Sequence, residues 1–440
     1  MTPVVQMGRA LSGLATLGFL VLSDRSPAQS AHNAELNLIV LLAMGIVSVT
    51  GGLIAWLVTR YRVEGGELRV DKGLIRRQSL RARLDRIQSV DVHRPFLARI
   101  FGLSELRVTT AGTEKTSIRL RYLNDEKART LRAELLGLAA GLGPGVTSAP
   151  ERLITVVQPG ALIGASILRI LSSRMIVILL LPLVGLVAAF VGQGHAGDIV
   201  AAIGIGFVLP VLLYLGHDLW RQVSSLWNFT VAESPDGLRL RSGLLSTRAQ
   251  TVPPGRIQAV RIHQPLLWRP FGWASVHMNV AGYAGKRQAV NTVLLPVGSL
   301  SLSMRLAGGI VGGVDISSVP LFPPPDRSRW RAPLWWKFMG VGSDDHSFVT
   351  RHGFLSRTIE LVPHERIQSV RMRSGPWQNM LGLATVYLDS TRGPVTVRAA
   401  FRDSKEARNI VDWQAERAQH ARRQAPLDRW MHSPQEDKKS

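Results

Sequence analysis

The sequence contains no cysteine among its 440 residues. This absence excludes a disulfide framework, a thiolate metal site and a cysteine nucleophile. Acidic residues are scarce, because 31 Asp and Glu stand against 53 Lys and Arg, which gives a formal net charge of +22. With 46% hydrophobic residues, the chain is too apolar for a disordered protein. Two classes of protein remain: a nucleic-acid-binding protein, and a membrane protein with basic soluble parts. The position of the charges along the chain decides between them.

Charge is missing altogether from four stretches of the chain. The longest, Leu36–Val58, has 23 uncharged residues, enough to cross about 30 Å of hydrocarbon as a helix. Three shorter stretches contain 13, 17 and 18 uncharged residues, and the first of them reaches membrane length if Arg9 snorkels. The sequence therefore predicts two transmembrane hairpins, with spans at about 4–22, 36–58, 175–191 and 199–216. A cleaved signal peptide is the alternative for the first segment.

The basic residues lie on one side of these predicted spans. The loop 23–35 has a single basic residue, Arg25, and the loop 192–198 has none. By the positive-inside rule, the side that carries all the other basic residues is the cytoplasm. We therefore expect a multi-pass protein of the cell membrane with both termini and all large segments cytoplasmic.

The remaining segments contain one motif three times. The copies read KGLIRRQSLRARLDRIQSVDVHRPFLARIFGLSELRV, SGLLSTRAQTVPPGRIQAVRIHQPLLWRPFGWASVHM and HGFLSRTIELVPHERIQSVRMRSGPWQNMLGLATVYL. In each copy a glycine precedes Arg-Ile-Gln by 13 residues, and a second glycine follows that arginine by 16. Three identical registers indicate a repeated domain. The signature positions are Gly73, Gly243, Gly353, Arg86, Arg256, Arg366, Ile87, Ile257, Ile367, Gln88, Gln258, Gln368, Gly102, Gly272 and Gly382.

The repeat has the pattern of short antiparallel strands. A turn at Asp71–Gly73 predicts a hairpin, with positive φ at Gly73 and its equivalents. The alternation of Ile87–Val92 is broken near Gln88, which predicts a β-bulge there. Capping residues at 124–126 and at Asp403 predict a closing helix in the first and third copies. The second copy ends in GSLSLSMRLAGGIVGGV. Because this segment is rich in glycine, the sequence does not decide whether the second copy has a closing helix.

The run G-[LF]-[LI]…R-I-Q-[SA]-V…G-[LW]-[SA] resembles the bacterial pleckstrin-homology (PH) domain of YdbS/YdbT-like membrane proteins. The resemblance implies a seven-stranded antiparallel sandwich capped by a C-terminal helix. The expected fold is a multi-pass α-helical membrane protein with three cytoplasmic α+β domains, each a PH-like β-sandwich or barrel with a closing helix. The predicted segments are a transmembrane hairpin at 1–60, PH-like domain 1 at 61–140, a linker at 141–174, a second transmembrane hairpin at 175–219, PH-like domain 2 at 220–313, a Pro/Trp-rich linker at 314–344, PH-like domain 3 at 345–416 and a basic tail at 417–440.

The charge is divided equally among the three copies. Residues 60–140 hold 18 basic and 10 acidic residues, residues 221–313 hold 10 and 2, and residues 327–440 hold 20 and 12, so that each segment is +8. The densest cluster predicts a basic stripe that faces anionic lipid or a partner; it consists of Arg76, Arg77, Arg81, Arg83 and Arg86. A solvated face is the alternative for the stripe. Trp330, Trp335 and Trp336 suit either a bilayer interface or packing on the third domain.

Catalytic motifs are absent from the sequence. His364-Glu365 begins like a zinc-protease helix, but Gln368 occupies the position of the second ligand. The glycines at 192, 194 and 197 match a dinucleotide fingerprint but follow no predicted strand. His93 and His263 recur at one repeat position before a proline, which fits fold geometry better than metal binding. We therefore expect no enzyme, no cofactor and no metal site.

These features favour a membrane-anchored scaffold or binding protein, and we expect such a protein to support envelope homeostasis. Its expected partners are anionic lipids, unidentified proteins or further copies of the chain. A transporter or channel built from the four spans is one alternative, although the spans contain no mid-span carboxylate. A membrane-tethered nucleic-acid binder is another, but no aromatic and basic RNA-binding platform occurs, so no nucleic acid is expected.

Overall fold

A computed structural model of the chain describes residues 60–64, 67–72, 78–83, 87–110, 118–139, 151–173, 209–234, 237–281, 292–391 and 393–424. The chain divides into two compact units. Unit 1 contains residues 1–149 with 246–250, and unit 2 contains residues 150–245 with 251–440. The first copy of the repeat lies in unit 1, whereas the third lies in unit 2 together with most of the second.

The described elements are mainly antiparallel strands, so the prediction of a multi-pass α-helical fold is wrong. No helix in the described ranges is both long and apolar enough to cross a membrane. The helix Leu209–Leu226 carries an ion pair between Asp218 and Arg221, at 2.9 Å, in its second half. The predicted spans at about 4–22, 36–58 and 175–191, and residues 199–208 of the fourth, fall outside the described residues.

The described residues of unit 1 form two groups of three strands and a closing helix. Strands β1, β2 and β3 form one antiparallel meander, and β4, β5 and β6 form another. The helix Asp125–Ala139 begins where the Asn124 side chain accepts a hydrogen bond from the Glu126 amide at 3.2 Å, as the capping pattern predicted. The strand bounds are β1 Arg60–Glu64, β2 Glu67–Lys72, β3 Gln78–Arg83, β4 Ile87–Arg94, β5 Leu103–Thr110 and β6 Ile118–Asn124.

Unit 2 begins inside the segment predicted as a linker. Strand β7, Arg152–Val156, and a helix over residues 159–173 lie there. Leu162 and Ala165 of this helix belong to the core of the second copy. That copy ends in the helix Leu300–Ile310, whose first turn is capped by Ser299 at 3.3 Å. Its strands are β8 Thr230–Ser234, β9 Gly237–Ser242, β10 Thr247–Val252, β11 Ile257–Pro265, β12 Trp273–Val280 and β13 Val293–Ser299.

The third copy repeats this plan. Its closing helix, Ser404–Gln424, packs on the sheet through Ala407, Gln414 and Ala418. In the described ranges, the first and third copies each have six strands in two groups of three. In the second copy β7 also pairs with β8, which gives the seven strands that the family resemblance implied. The strands of the third copy are β14 Gly340–Ser343, β15 Ser347–His352, β16 Ser356–Pro363, β17 Ser369–Arg373, β18 Leu383–Asp389 and β19 Val397–Asp403.

The repeat signature has a clear structural basis. The pairing register shifts between Ile87 and Ser89, and between Ile257 and Ala259, which confirms the predicted bulge at Gln88 and its equivalent. Gly353, in the turn before β16, has a φ of +96°. A Cβ atom there would lie 2.0 Å from a backbone oxygen, so the turn requires glycine.

Within unit 2, strands of the second and third copies join one six-stranded sheet. Strand β11 pairs antiparallel with β16, and Ile262 lies opposite Ile359. In unit 1, residues 247–249 pair with β4 in the same manner, and Ala249 lies opposite Val92. Because the copies are offset by 170 and 110 residues, these two pairings have the same register.

Candidate membrane-facing site

A short helix follows the strands β4, β11 and β17, at the same position in each copy. We call these three segments the apolar turns; they are Phe96–Ile100, Leu266–Phe271 and Pro376–Met380. A proline stands at or just before the start of each one. A glycine with a φ of 62° to 63° ends each one. The signature glycines at 102, 272 and 382 therefore terminate these turns in a conformation that other residues rarely adopt.

The apolar turns expose large hydrophobic side chains. In unit 1, Ile100 is 63% exposed. In unit 2, Phe271 is 57% exposed in the second copy, and Trp377 and Met380 are 70% and 79% exposed in the third. The side-chain types differ between copies while their apolar character is kept. Exposed apolar side chains that recur in this way are typical of a surface that contacts a partner or a lipid.

A buried side chain or hydrogen bonds anchor each apolar turn to the rest of its copy. Ala98 is buried under the first turn. Trp268 is fully buried under the second, and its indole N–H donates to the Ala165 carbonyl at 3.0 Å. In the third turn, the Gln378 side chain accepts from the Gly375 amide at 3.0 Å and donates to the Thr385 hydroxyl at 3.2 Å. The exposed side chains therefore project from a fixed backbone.

Basic residues border the apolar turns. Arg99 is exposed within the first turn, and Arg94 just before it is ion-paired with Asp125. Burial lowers the pKa of Arg94, and the nearby Asp125 carboxylate opposes that shift. Arg269 in the second turn donates to the Phe354 carbonyl, and Arg373 is exposed just before the third. An apolar tip beside cations matches the chemistry of an anionic bilayer surface.

A second exposed apolar segment precedes the third copy. Trp330 is 73% exposed and Trp335 is also exposed, whereas Trp336 is half-buried with the Lys337 ammonium 5.6 Å from its ring centre. The segment is attached to the third copy because the Ser328 hydroxyl donates to the Phe401 carbonyl at 2.9 Å. Trp330 and Trp335 leave a large part of their surface open to solvent, and the choice between a bilayer interface and packing on the third domain stays a prediction.

The predicted basic stripe falls mostly outside the described residues. Arg76, Arg77 and Arg86 are not described, and neither are the side chains of Arg81 and Arg83 on β3. The stripe stays a prediction. The apolar turns were missed because a hydropathy reading does not separate exposed from buried apolar residues. The signal was present in aligned residues, since RPFLARIFG, QPLLWRPFG and SGPWQNMLG all pair proline with large apolar side chains.

A buried polar cluster lies where β11 pairs with β16 in unit 2. The Arg261 guanidinium donates twice to one Glu360 oxygen, at 2.6 and 2.8 Å, and the Glu360 side chain is fully buried. Burial raises the pKa of the Glu360 carboxyl, and Arg261 offsets part of that rise. Burial lowers the pKa of His263 and His352 to about 4 and that of His277 to about 3. These histidines are therefore neutral at pH 7, and in the described ranges no group of acids and histidines fits a metal ion.

Comparison with known proteins gives a family match and one curated relative. The bacterial PH domain model matches the chain over residues 12–139, 176–307 and 293–418. The UPF0699 transmembrane protein YdbT of Bacillus subtilis (strain 168) is 24% identical over 287 residues, which are 58% of this chain and 57% of that protein. The chain therefore matches little more than half the length of this relative. No solved structure matches.

Proposed function

Because the chain belongs to the bacterial PH domain family, we propose that it is a non-catalytic, membrane-associated binding protein whose apolar turns enter the surface of an anionic bilayer. The observation that carries this proposal is the recurrence of exposed large apolar side chains at one position in all three copies. The relative is named as a transmembrane protein, which supports a membrane location for this chain as well.

The energetics of such binding are favourable but modest for each copy. A half-exposed side chain of the size of Phe271 or Ile100 gains about 1 kcal/mol when it leaves water, since full burial is worth about 1.5–3 kcal/mol. A basic residue near an anionic leaflet adds about 1 kcal/mol. Several such contacts in three linked copies produce strong binding through avidity. The cytoplasmic leaflet is the proposed side, because each copy is +8 and that leaflet carries anionic lipid.

The basic stripe of Arg76, Arg77, Arg81, Arg83 and Arg86 is proposed as an additional electrostatic contact with the same surface. Its contribution depends on salt, because exposed charges are screened beyond about 8 Å at physiological ionic strength. Contacts made by the apolar turns depend much less on salt. A titration with salt therefore separates the two contributions.

The absence of cysteine permits a direct test with the full chain. Single substitutions Ile100→Cys, Phe271→Cys and Met380→Cys each accept one environment-sensitive fluorophore, and Glu416→Cys on the exposed side of the closing helix of the third copy is the matched control. In vesicles with about one-third anionic lipid, we expect a blue-shifted emission at the first three positions, quenched by brominated lipid. The control position is expected to show neither change. Equal signals at all four positions would contradict the proposal.

A further inference from the structure

Strand β17 of the third copy, Ser369–Arg373, has an open side. It lies at the edge of the three-stranded group β17-β18-β19, and in the described ranges no strand pairs with its outer side. Four of its five side chains are exposed. An open strand edge presents unpaired backbone N–H and C=O groups to which another strand can add.

The equivalent strands in the other two copies are both occupied. In unit 2, β11 receives β16, and Ile262 opposite Ile359 is only 1% exposed. In unit 1, β4 receives residues 247–249, and Val92 opposite Ala249 is 4% exposed. The residue at the same repeat position of β17 is Met372, which is 37% exposed. Among the described residues, the same edge therefore accepts an antiparallel strand in two copies, in one register, and has no strand paired to it in the third.

The occupied edge of β11 indicates what chemistry the open edge would take. Opposite Ile262 lies an isoleucine, and opposite Arg261 lies Glu360, whose carboxylate is held at 2.6 Å. On β17 the corresponding residues are Met372 and Arg371, followed by Arg373, whose side chain is exposed. The Arg371 guanidinium is already ion-paired with Asp389 of β18. A matching strand therefore needs an apolar residue opposite Met372 and a carboxylate opposite Arg373.

A second copy of the chain fits this requirement poorly. The strand equivalent to β16 and residues 247–249 is β3, which reads QSLRAR and, within the part of the chain that the structure describes, also lies at an edge of its sheet. In the shared register, Ser79 would lie opposite Met372 and Leu80 opposite Arg371. The strand supplies no carboxylate and brings two further arginines, so its charge opposes self-association.

We propose that the β17 edge binds an extended, acidic segment of a different protein by antiparallel strand addition. Backbone hydrogen bonds provide the affinity in this mode of recognition, and alternate side chains provide the specificity. The arginines of the free edge discourage pairing with neutral or basic strands. The chain thereby joins a membrane surface to an acidic protein partner.

The test uses the full chain and a fluorescent peptide of residues 354–363, FLSRTIELVP, the strand that fills the equivalent edge. A second peptide carries Thr358→Glu, which places a carboxylate opposite Arg373 in the shared register. A third peptide of equal charge carries Leu355→Glu, which lies beyond the strand. By fluorescence anisotropy, we expect the second peptide to bind about two- to five-fold more tightly than the third.

Two variants of the chain locate the binding. Met372→Asp is expected to abolish binding of all three peptides, and Arg373→Glu to reverse the preference for the Thr358→Glu peptide. Equal binding of the two acidic peptides, or binding unchanged by Met372→Asp, would overturn the proposal. Sedimentation of the unmodified chain as a dimer that Met372→Asp dissociates would also overturn it, because a second copy would then occupy the edge.

Discussion

The substitution Glu360→Ala removes a buried carboxylate at the place where β11 of the second copy pairs with β16 of the third. The Glu360 side chain is fully buried, whereas that of Arg261 is 26% exposed. Removal of the acid leaves a partly buried guanidinium without its partner, which costs about 3–5 kcal/mol for a buried pair. Glu360→Gln is expected to cost less, because burial already disfavours the ionised form and raises the pKa of the carboxyl.

Hydrogen exchange measured by mass spectrometry reports this loss locally. We expect amides of Ile257–Pro265 and Ser356–Pro363 to exchange about 10²- to 10⁴-fold faster in Glu360→Ala, because exchange follows the free energy of local opening. Asp389→Ala is the matched control, since its partner Arg371 occupies the repeat position of Arg261 and is exposed. Similar exchange rates in the two variants, or protected amides in Glu360→Ala, would refute the reasoning.

Two further predictions concern the same unit. The folded-state pKa values of His263, His277 and His352 lie below the ordinary 6.5. We therefore expect these histidines to leave the free energy of unfolding unchanged above pH 6.5 and to lower it as the pH falls toward 4, because protons then bind the unfolded chain more tightly. Melting temperatures between pH 7 and 4 check this decline, and a flat profile would contradict it. Gly353→Ala is expected to destabilise the chain by about 1–3 kcal/mol, because its backbone has positive φ. Gly375→Ala, at a φ of −93° with open space around it, is expected to be neutral in the same urea titration.

The repeat made much of each domain predictable. Fixed spacing of the signature glycines located the hairpin turns at Gly243 and Gly353, both with positive φ, and broken alternation located the bulge at Gln88. Both signals are local, since they depend on backbone conformation within a few residues. The family resemblance, which rested on the same residues, is confirmed by the three family matches.

Long-range pairing was not predictable from these signals. The partner of β11 is β16, about a hundred residues away, and a strand pattern identifies no partner. The burial of Glu360 follows from that pairing, so its role was missed. The prediction of a multi-pass helical fold was wrong, because short antiparallel strands form most of the described structure and no described helix is both long and apolar enough to cross a membrane.

The exposed apolar turns show a different limit. Phe271 and Trp268 are neighbours in one short helix, yet the first is 57% exposed and the second is fully buried. Their difference depends on the helix over residues 159–173, whose Ala165 carbonyl receives the Trp268 indole. Composition and hydropathy assign both residues to a core.

Photo-crosslinking with an anionic lipid that carries a photoreactive acyl chain tests the central claim most directly. The full chain is irradiated in vesicles, and the crosslinked peptides are mapped by mass spectrometry. Among the described residues, we predict that crosslinks concentrate on the apolar turns Phe96–Ile100, Leu266–Phe271 and Pro376–Met380. Crosslinks that leave these turns unlabelled and fall instead on the closing helices would contradict the account.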